Sequence, residues 1–230
     1  MRCEGLRERV WIVIPAFREA SVIREVVEGV RAHFTHVVVV DDGSGDETAE
    51  QAVQGGGSVI RHPVNLGQGA ALQTGVTYAL QQCAEYVATF DADGQHRIED
   101  VAAMCEMLVA NDLDVVLGSR FIGNTVGMTP ARRLLLRAAV LFTRVTTGLS
   151  LSDAHNGLRV LNRKAALSIR LRQNRMAHAS EILEQIAAHQ LRYGEMGNTV
   201  IYTEYSMAKG QRASNAINIV LDLMLGRMNK

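Results

Sequence analysis

Residues 37–48 read VVVVDDGSGDET, an unbroken apolar run followed at once by an acidic, glycine-containing turn. Four consecutive valines are typical of a strand that is buried on both faces of a sheet. The same order, an apolar run and then a polar cluster, recurs at residues 10–19 (VWIVIPAFRE), 86–96 (YVATFDADGQH) and 114–120 (DVVLGSR). We therefore predict four buried strands, each of which ends at a cluster of polar side chains.

Apolar residues at helical spacing connect these strands. They predict helices over residues 22–30, 68–83 and 98–110. Strands that alternate with helices predict an α/β fold with a mostly parallel central sheet flanked by helices. Because ligands bind beyond the carboxyl ends of the strands in such sheets, we expect the polar clusters to meet at one edge and to form the functional site.

The composition is that of an ordinary soluble globular protein, with 47% apolar and 21% charged residues among 230. The three cysteines lack metal-site spacing, which argues against a disulfide framework and favours a reducing, cytoplasmic location. Residues 1–9 do not resemble a signal peptide, and no apolar run approaches the ~18 residues of a membrane span. No linker or repeat divides the chain, so we predict a single domain over residues 1–230.

The charges are unevenly distributed along the chain. Residues 1–117 carry 8 basic and 18 acidic side chains, whereas residues 118–230 carry 16 and 6. This asymmetry has two interpretations: two differently solvated faces, or an acidic half that holds a cation and a basic half that meets phosphates.

Asp91 and Asp93 place two carboxylates at the end of a predicted strand, where residues i and i+2 face the same way. Two neighbouring carboxylates repel each other unless a cation lies between them, and oxygen ligands suit Mg²⁺ or Mn²⁺. The alternative is an acidic loop that caps the next helix. Asp41 and Asp42 leave a similar choice between a turn with a helix cap and acceptors for a nucleobase or ribose.

Other chemistry-bearing patterns are weak or absent. His96, beside the aspartates, is interpreted as a solvated or structural side chain, with an outer partner of a metal site or a metal ligand as the alternative, and His155 is interpreted in the same way. Residues 65–70 (NLGQGA) lack the third glycine of a dinucleotide fingerprint, and the chain has no Walker P-loop. The absence of HExxH and GxSxG from the sequence argues against zincins and the usual serine hydrolases.

Five ordered segments over residues 12–120 resemble the motifs of family 2 glycosyltransferases. They are residues 14–19 (IPAFRE), 41–48 (DDGSGDET), 65–70 (NLGQGA), 91–96 (DADGQH) and 118–120 (GSR). Residues 152–159 (SDAHNGLR) and 206–212 (SMAKGQR) are similar to elements of the dolichol-phosphate mannosyltransferase-like subgroup. The chain departs from the family at Arg18, Arg97 and Leu158, where asparagine, proline and phenylalanine are usual.

The resemblance implies a GT-A (Rossmann-like) fold, a nucleotide-diphosphate sugar donor, inversion at the anomeric carbon and a Mg²⁺ or Mn²⁺ cofactor. The implied metal ligands are Asp91, Asp93 and Gln95. The implied nucleotide-sugar site comprises Pro15, Phe17, Glu19, Asp41, Asp42, Gly69 and Asp91. The candidates for binding acceptor or phosphate oxygens are Arg120, Arg133, Lys209 and Arg212. The implied catalytic residues are Asp93, Asp153 and Arg120, with Asp153 either a general base or a group that orients a basic side chain.

These expectations predict an enzyme that moves a hexose to a polyprenyl phosphate. Residues 1–117 would form its nucleotide-sugar half and residues 118–230 its acceptor half. Two alternatives stay open: an enzyme of the same fold that uses a sugar hydroxyl as acceptor, and a non-catalytic nucleotide-binding subunit. The predicted partners are a nucleotide-diphosphate sugar and a lipid phosphate, and no nucleic acid.

Two further helices, predicted over residues 129–146 and 213–225, combine apolar surfaces with polar or arginine stripes. One interpretation is that both pack on the sheet or form a homodimer interface. The other is that they lie on the inner face of a membrane and present arginine to lipid phosphates, which would make the protein peripheral.

Overall fold

The computed structural model describes residues 4–126, 128–154, 156–173 and 177–201. Its strands are β1 (Val10–Ala16), β2 (His36–Asp41), β3 (Ser58–Arg61), β4 (Tyr86–Thr89), β5 (Val115–Val126), β6 (Arg159–Asn162) and β7 (Tyr193–Ile201). Its helices are α1 (Glu4–Arg7), α2 (Ile23–Arg31), α3 (Thr48–Gln54), α4 (Gln68–Gln81), α5 (Ile98–Ala110), α6 (Pro130–Thr147), α7 (Arg163–Ser168) and α8 (Ala177–Ala188). Among these described helices, none is both long and apolar enough to cross a membrane.

The seven strands form one sheet in the order β3-β2-β1-β4-β6-β5-β7. Strands β1, β2, β3 and β4 pair in parallel, and so do β5 and β7. Strand β6 runs antiparallel between β4 and β5. The prediction of a mostly parallel sheet is therefore confirmed.

Helices cover both faces of the sheet because successive side chains of a strand point to opposite sides. On β1, Ile12 and Ile14 pack in a cluster with α2 and α5. Trp11 and Val13 point the other way, into a cluster with α4, α7 and α8. Both faces of the central strands are apolar for this reason, which explains their unbroken valine and isoleucine runs.

The predicted helices at residues 22–30, 68–83, 98–110 and 129–146 are confirmed as α2, α4, α5 and α6. Strand β1 continues through Pro15 to Ala16, so the polar cluster of this segment begins one residue later, at Phe17. Strands β3, β6 and β7 were not predicted, since each lacks a long unbroken apolar run. The helix predicted over residues 213–225 lies outside the described residues.

Asp114 joins the start of β5 to β6 and β7. Its buried carboxylate accepts hydrogen bonds from Asn162 Nδ2 at 3.0 Å, Lys164 Nζ at 3.2 Å and the Arg192 backbone N–H at 2.9 Å. Burial by itself would raise the pKa of Asp114, but these hydrogen bonds outweigh it and lower the pKa to about 2.

We expect Asp114→Asn to lower the free energy of unfolding by ~2 kcal/mol at pH 7, since a pKa below its unfolded value stabilises the ionised folded state. This contribution is present above about pH 4 and is lost as the pH falls towards 2. Urea unfolding at pH 7 and at pH 3 measures it, and the difference between the two proteins should be clearly smaller at the lower pH. Asp112→Asn is the control because Asp112 also pairs with Arg192 but is exposed. An equal loss in both variants would contradict the prediction.

Candidate active site

The segments after β1 and β2 lie against each other at the carboxyl edge of the sheet. The Arg18 backbone N–H donates to Ser44 Oγ at 2.8 Å, and the Glu19 backbone N–H donates to Thr48 Oγ1 at 2.8 Å. The expectation that the first two polar clusters meet is therefore confirmed. Within this region Pro15 and Glu19 are buried, whereas Phe17 is half-buried beneath the Arg18 guanidinium, whose carbon lies 5.1 Å from the ring centre.

The two adjacent aspartates at the end of β2 have different surroundings. Asp42 accepts hydrogen bonds from His62 Nδ1 at 2.8 Å and from the backbone N–H groups of Leu66 at 2.9 Å and Gly67 at 2.7 Å. Its carboxylate thus holds the loop before α4. Asp41 receives the Ser44 backbone N–H on Oδ1 at 3.0 Å, and its buried Oδ2 lies 3.1 Å from Arg61 Nε, with which it forms an ion pair. Asp41 thus accepts fewer hydrogen bonds than Asp42, and its charge is paired with that of Arg61.

Gly69 lies in the first turn of α4, where it touches the segment before α8. A Cβ at this position would lie 2.2 Å from the Gln173 carbonyl oxygen and 3.0 Å from His178 Cβ. The glycine is required for this close approach, which brings residues 173 and 178 over the amino end of α4.

Asp91 and Asp93 follow β4, and the pKa values of their two carboxyl groups are shifted in opposite directions. Burial and the neighbouring Asp91 carboxylate raise the pKa of Asp93 to about 6. Burial would also raise the pKa of Asp91, but the hydrogen bond from His96 and the positive charge of Arg159 outweigh it and lower the pKa. Two neighbouring carboxylates disfavour each other's ionisation, and a bound cation would offset the repulsion between their charges.

The residues around this pair fit a divalent cation of the Mg²⁺ type. The described residues contain no group of three or more His, Cys, Asp or Glu arranged to hold a metal by themselves. A Mg²⁺ or Mn²⁺ ion commonly takes one or two carboxylates and completes its coordination with water and substrate phosphate oxygens. Gln95 is adjacent: its backbone N–H donates to Asp93 Oδ1 at 3.1 Å and its carbonyl accepts from the Ile201 N–H at 3.0 Å.

Gly157 and His96 flank Asp91 closely. A Cβ on Gly157 would lie 2.0 Å from Asp91 Oδ2, so only glycine leaves the carboxylate in place. His96 Nε2 lies 3.1 Å from the same oxygen, and only 4% of the His96 side chain is exposed. The histidine interpreted from sequence as solvated or structural is therefore a buried partner of Asp91.

Asp153 is bonded to an arginine and is enclosed. Its Oδ2 accepts from Arg120 Nε at 2.6 Å and from the Arg120 backbone N–H at 3.1 Å, and none of its side chain is exposed. Glu195 on β7 holds the loop before Asp153, since it accepts from the Ser152 backbone N–H and hydroxyl, both at 2.9 Å. The pairing was foreseen as one of two roles for Asp153, whereas Glu195 was missed because β7 was not predicted.

Arg159 lies between the two carboxylate sites and was also missed. Its guanidinium is 3% exposed, and burial lowers its pKa to about 10, although the charges of Asp91 and Asp153 act in the opposite direction. Its Nη1 has no hydrogen-bond partner among the described residues. Arg159 therefore connects the two sites electrostatically.

A cavity of about 420 Å³ opens between β5 and α6 beside the Asp153–Arg120 pair. Four arginines line it, together with the apolar side chains of Phe121, Val140 and Leu141; they are Arg120, Arg133, Arg137 and Arg144. We call it the arginine cavity. The structure thus brings together two of the predicted phosphate-binding residues, Arg120 and Arg133. The other two, Lys209 and Arg212, lie outside the described residues, as does His155.

The chain was compared with known proteins. Residues 11–169 match the model of "Glycosyl transferase family 2". The chain is 30% identical to a UDP-N-acetylglucosamine--dolichyl-phosphate N-acetylglucosaminyltransferase of Methanococcus voltae, over 96% of this chain and 97% of that protein. It is 30% identical to a polyprenol monophosphomannose synthase of Mycolicibacterium smegmatis, over 71% and 65%.

The fold also has relatives among solved structures. A glucosyl-3-phosphoglycerate synthase from Mycobacterium tuberculosis, crystallised with Mn²⁺ and UDP-glucose, superposes with a TM-score of 0.73 at 18% identity. The superposition covers 98% of this chain and 82% of that one. The GT-A fold is therefore confirmed, and the family match over more than half of the residues shows that the chain is an enzyme of glycosyltransferase family 2.

Proposed function

We propose that this enzyme transfers a hexose, with inversion, from a nucleotide-diphosphate sugar to a polyprenyl phosphate. The observation that carries the proposal is the arginine cavity, because four guanidinium groups beside apolar side chains match a phosphate attached to a hydrocarbon chain. The relatives named above act on dolichyl phosphate or make a polyprenol phosphosugar, as their names state. In this proposal residues 1–117 bind the donor and residues 118–230 the acceptor.

The donor site uses the segments after β1, β2 and β4. Asp41, whose Oδ2 is paired with Arg61, accepts a hydrogen bond from the nucleobase or ribose, and Phe17 provides an aromatic surface after β1. Asp91 and Asp93, with Gln95 beside them, would hold Mg²⁺ or Mn²⁺. Such an ion would supply positive charge where negative charge develops on the leaving diphosphate.

The reaction needs no proton removal from the acceptor. A phosphate monoester has its second pKa near 6 and is largely ionised at neutral pH. One of its oxygens attacks the anomeric carbon, the bond from that carbon to the diphosphate oxygen breaks, and the electron pair leaves with the nucleotide diphosphate. Arg120 and Arg133 orient the attacking phosphate and offset its charge.

The position of Asp153 favours this acceptor over a sugar hydroxyl. A hydroxyl acceptor requires a general base that can reach it. Asp153 is fully buried and paired with Arg120 at 2.6 Å, a geometry that suits orientation of the arginine better than proton abstraction.

A transfer assay tests the proposal. Purified protein with Mn²⁺ is incubated with radiolabelled UDP- or GDP-hexoses and either a short polyprenyl phosphate or the same polyprenol without phosphate. We expect label in the lipid fraction only with the phosphate. Transfer to the polyprenol alone, or donor hydrolysis without any lipid product, would contradict the acceptor assignment.

We also propose that α6 rests on an anionic membrane surface and delivers the arginine cavity to a lipid substrate. Three of its apolar side chains are strongly exposed along one stripe: Leu134 by 72%, Leu141 by 64% and Val145 by 78%. The exposed Arg133 and Arg137 lie beside them. Apolar side chains can enter the headgroup boundary while neighbouring arginines contact lipid phosphates.

We expect binding to anionic liposomes that weakens steeply as salt rises, since each arginine near the surface contributes only ~1 kcal/mol. Sedimentation at low and high ionic strength measures it. A triple variant with serine in place of Leu134, Leu141 and Val145 should not bind the liposomes at low salt. Serine at Val53 and Val109, which are exposed by 59% and 47% on other helices, is the control. Equal loss in both variants, or no binding by the wild type, would remove α6 as the membrane contact.

A further inference from the structure

A buried chain of side-chain amides leads from the β5–β6 connection to Asp91. Asn156 Nδ2 donates to Asn198 Oδ1 at 2.8 Å, and Asn198 Nδ2 lies 3.2 Å from His96 Nδ1. His96 Nε2 in turn lies 3.1 Å from Asp91 Oδ2. Asn156 is 4% exposed and Asn198 is 1% exposed, so water does not substitute for either partner.

The hydrogen bond between Leu158 and Asn156 determines the direction of every other hydrogen bond in this series of side chains. The Leu158 backbone N–H, which can only donate, lies 3.0 Å from Asn156 Oδ1. Asn156 must then present its amide nitrogen to Asn198, and Asn198 must present its own nitrogen to His96. His96 Nδ1 therefore accepts, its proton lies on Nε2, and Nε2–H donates to Asp91.

Two glycines of β5 pack closely against Asn156 and Asn198, and a larger residue at either position would collide with them. A Cβ on Gly118 would lie 3.1 Å from Asn156 Oδ1 and 3.2 Å from Asn198 Oδ1. A Cβ on Gly123 would lie 2.2 Å from the Asn198 carbonyl oxygen. Strand β7 is also anchored next to Asn198, because the Thr199 N–H donates to Asp100 Oδ2 at 2.8 Å.

We propose that Asn156 and Asn198 are positioning residues, which act through His96 to prepare Asp91 for a divalent cation. This rests on the proposed metal role of Asp91. A His96 that donates from Nε2 fixes the position of one oxygen of the carboxylate. The opposite tautomer would place a lone pair against Asp91 and turn the carboxylate away. Outer partners of this kind change metal affinity by ~10–100-fold.

The first measurement determines the His96 tautomer in the wild-type protein. In metal-free protein labelled with ¹⁵N-histidine, the His96 signals, assigned by their loss in His96→Gln, should show a protonated Nε2 and an unprotonated Nδ1. A protonated Nδ1 in the wild type would overturn the proposal.

The second measurement follows Mn²⁺ binding in the presence of UDP, by the loss of the free-ion electron paramagnetic resonance signal. Asn198→Asp offers His96 an acceptor instead of a donor and should protonate Nδ1 and weaken Mn²⁺ binding by about tenfold or more. The added negative charge by itself would strengthen binding, so the sign of the change separates the two effects. Asp100→Asn, which alters the neighbouring β7 anchor, should leave Mn²⁺ affinity unchanged.

Asn198→Leu serves if the buried aspartate prevents folding, and it should also weaken binding. In the His96→Gln background a side-chain amide N–H can reach Asp91 whatever occupies position 198, so Asn198→Leu should then have little further effect. Unchanged Mn²⁺ affinity in the Asn198 variants would overturn the positioning role. Absence of Mn²⁺ binding by the wild type would overturn the metal assignment of the proposed function as well.

Discussion

Asp93→Asn is expected to lower kcat/KM for sugar transfer by about 10³-fold or more, because loss of a ligand to the catalytic ion removes several kcal/mol of transition-state stabilisation. Asp93 lies close to Asp91 in the segment after β4. Burial and the negative charge of Asp91 raise the pKa of Asp93 to about 6. The assay is lipid-linked product formation at low Mn²⁺ concentration. Glu99→Gln removes the same charge from an exposed position nearby and should retain activity.

The same substitution should not destabilise the protein. A folded-state pKa above the unfolded value means that stability declines as the pH rises through about 4 to 6 and Asp93 ionises. Asparagine removes that unfavourable charge, so the melting temperature of metal-free Asp93→Asn at pH 8 should equal or exceed that of the wild type. Near-normal transfer by the variant, or loss of activity together with unfolding, would contradict the assignment of Asp93 to the ion.

Gly157→Ala is expected to reduce kcat/KM by about 10²-fold, a cost typical of a 1 Å misplacement of a reacting group. A Cβ at this position would lie 2.0 Å from Asp91 Oδ2 and 2.6 Å from its Cγ, so the carboxylate must turn away from His96. Gly157 is not among the described glycines with positive φ, and alanine there meets a steric obstacle rather than backbone strain.

Gly29→Ala is the matched control for this variant. A Cβ on Gly29 meets nothing within 4 Å, and its position in α2 accepts alanine readily. Weaker Mn²⁺ binding by Gly157→Ala, with a cooperative unfolding transition retained, would identify the displaced carboxylate as the cause. If Gly157→Ala had the kcat/KM of the wild type, catalysis would not depend on the observed position of the Asp91 carboxylate.

The strand-end motifs could be predicted from sequence because a buried strand and the polar residues after it are adjacent in the chain. Four valines in β2 can only be buried on both faces, and the acidic turn after them must then lie at the carboxyl edge of a parallel sheet. The positions of Asp41, Asp91 and Asp93 follow from this reasoning. Arg120 was expected just beyond a strand, but it lies within β5, which continues to Val126.

What surrounds these residues was decided by tertiary structure, since the partners are distant in the chain. Glu195 and Asn198 lie on β7, which was not predicted because its sequence has no unbroken apolar run. They reach Asp153 and His96 only because β7 pairs with β5. The inserted antiparallel β6 brings Gly157 against Asp91 and Arg159 between two carboxylates. Sequence alone thus indicated the candidate residues for the chemistry, whereas long-range strand pairing determined what surrounds them, because burial and pKa depend on charges and hydrogen bonds from distant segments.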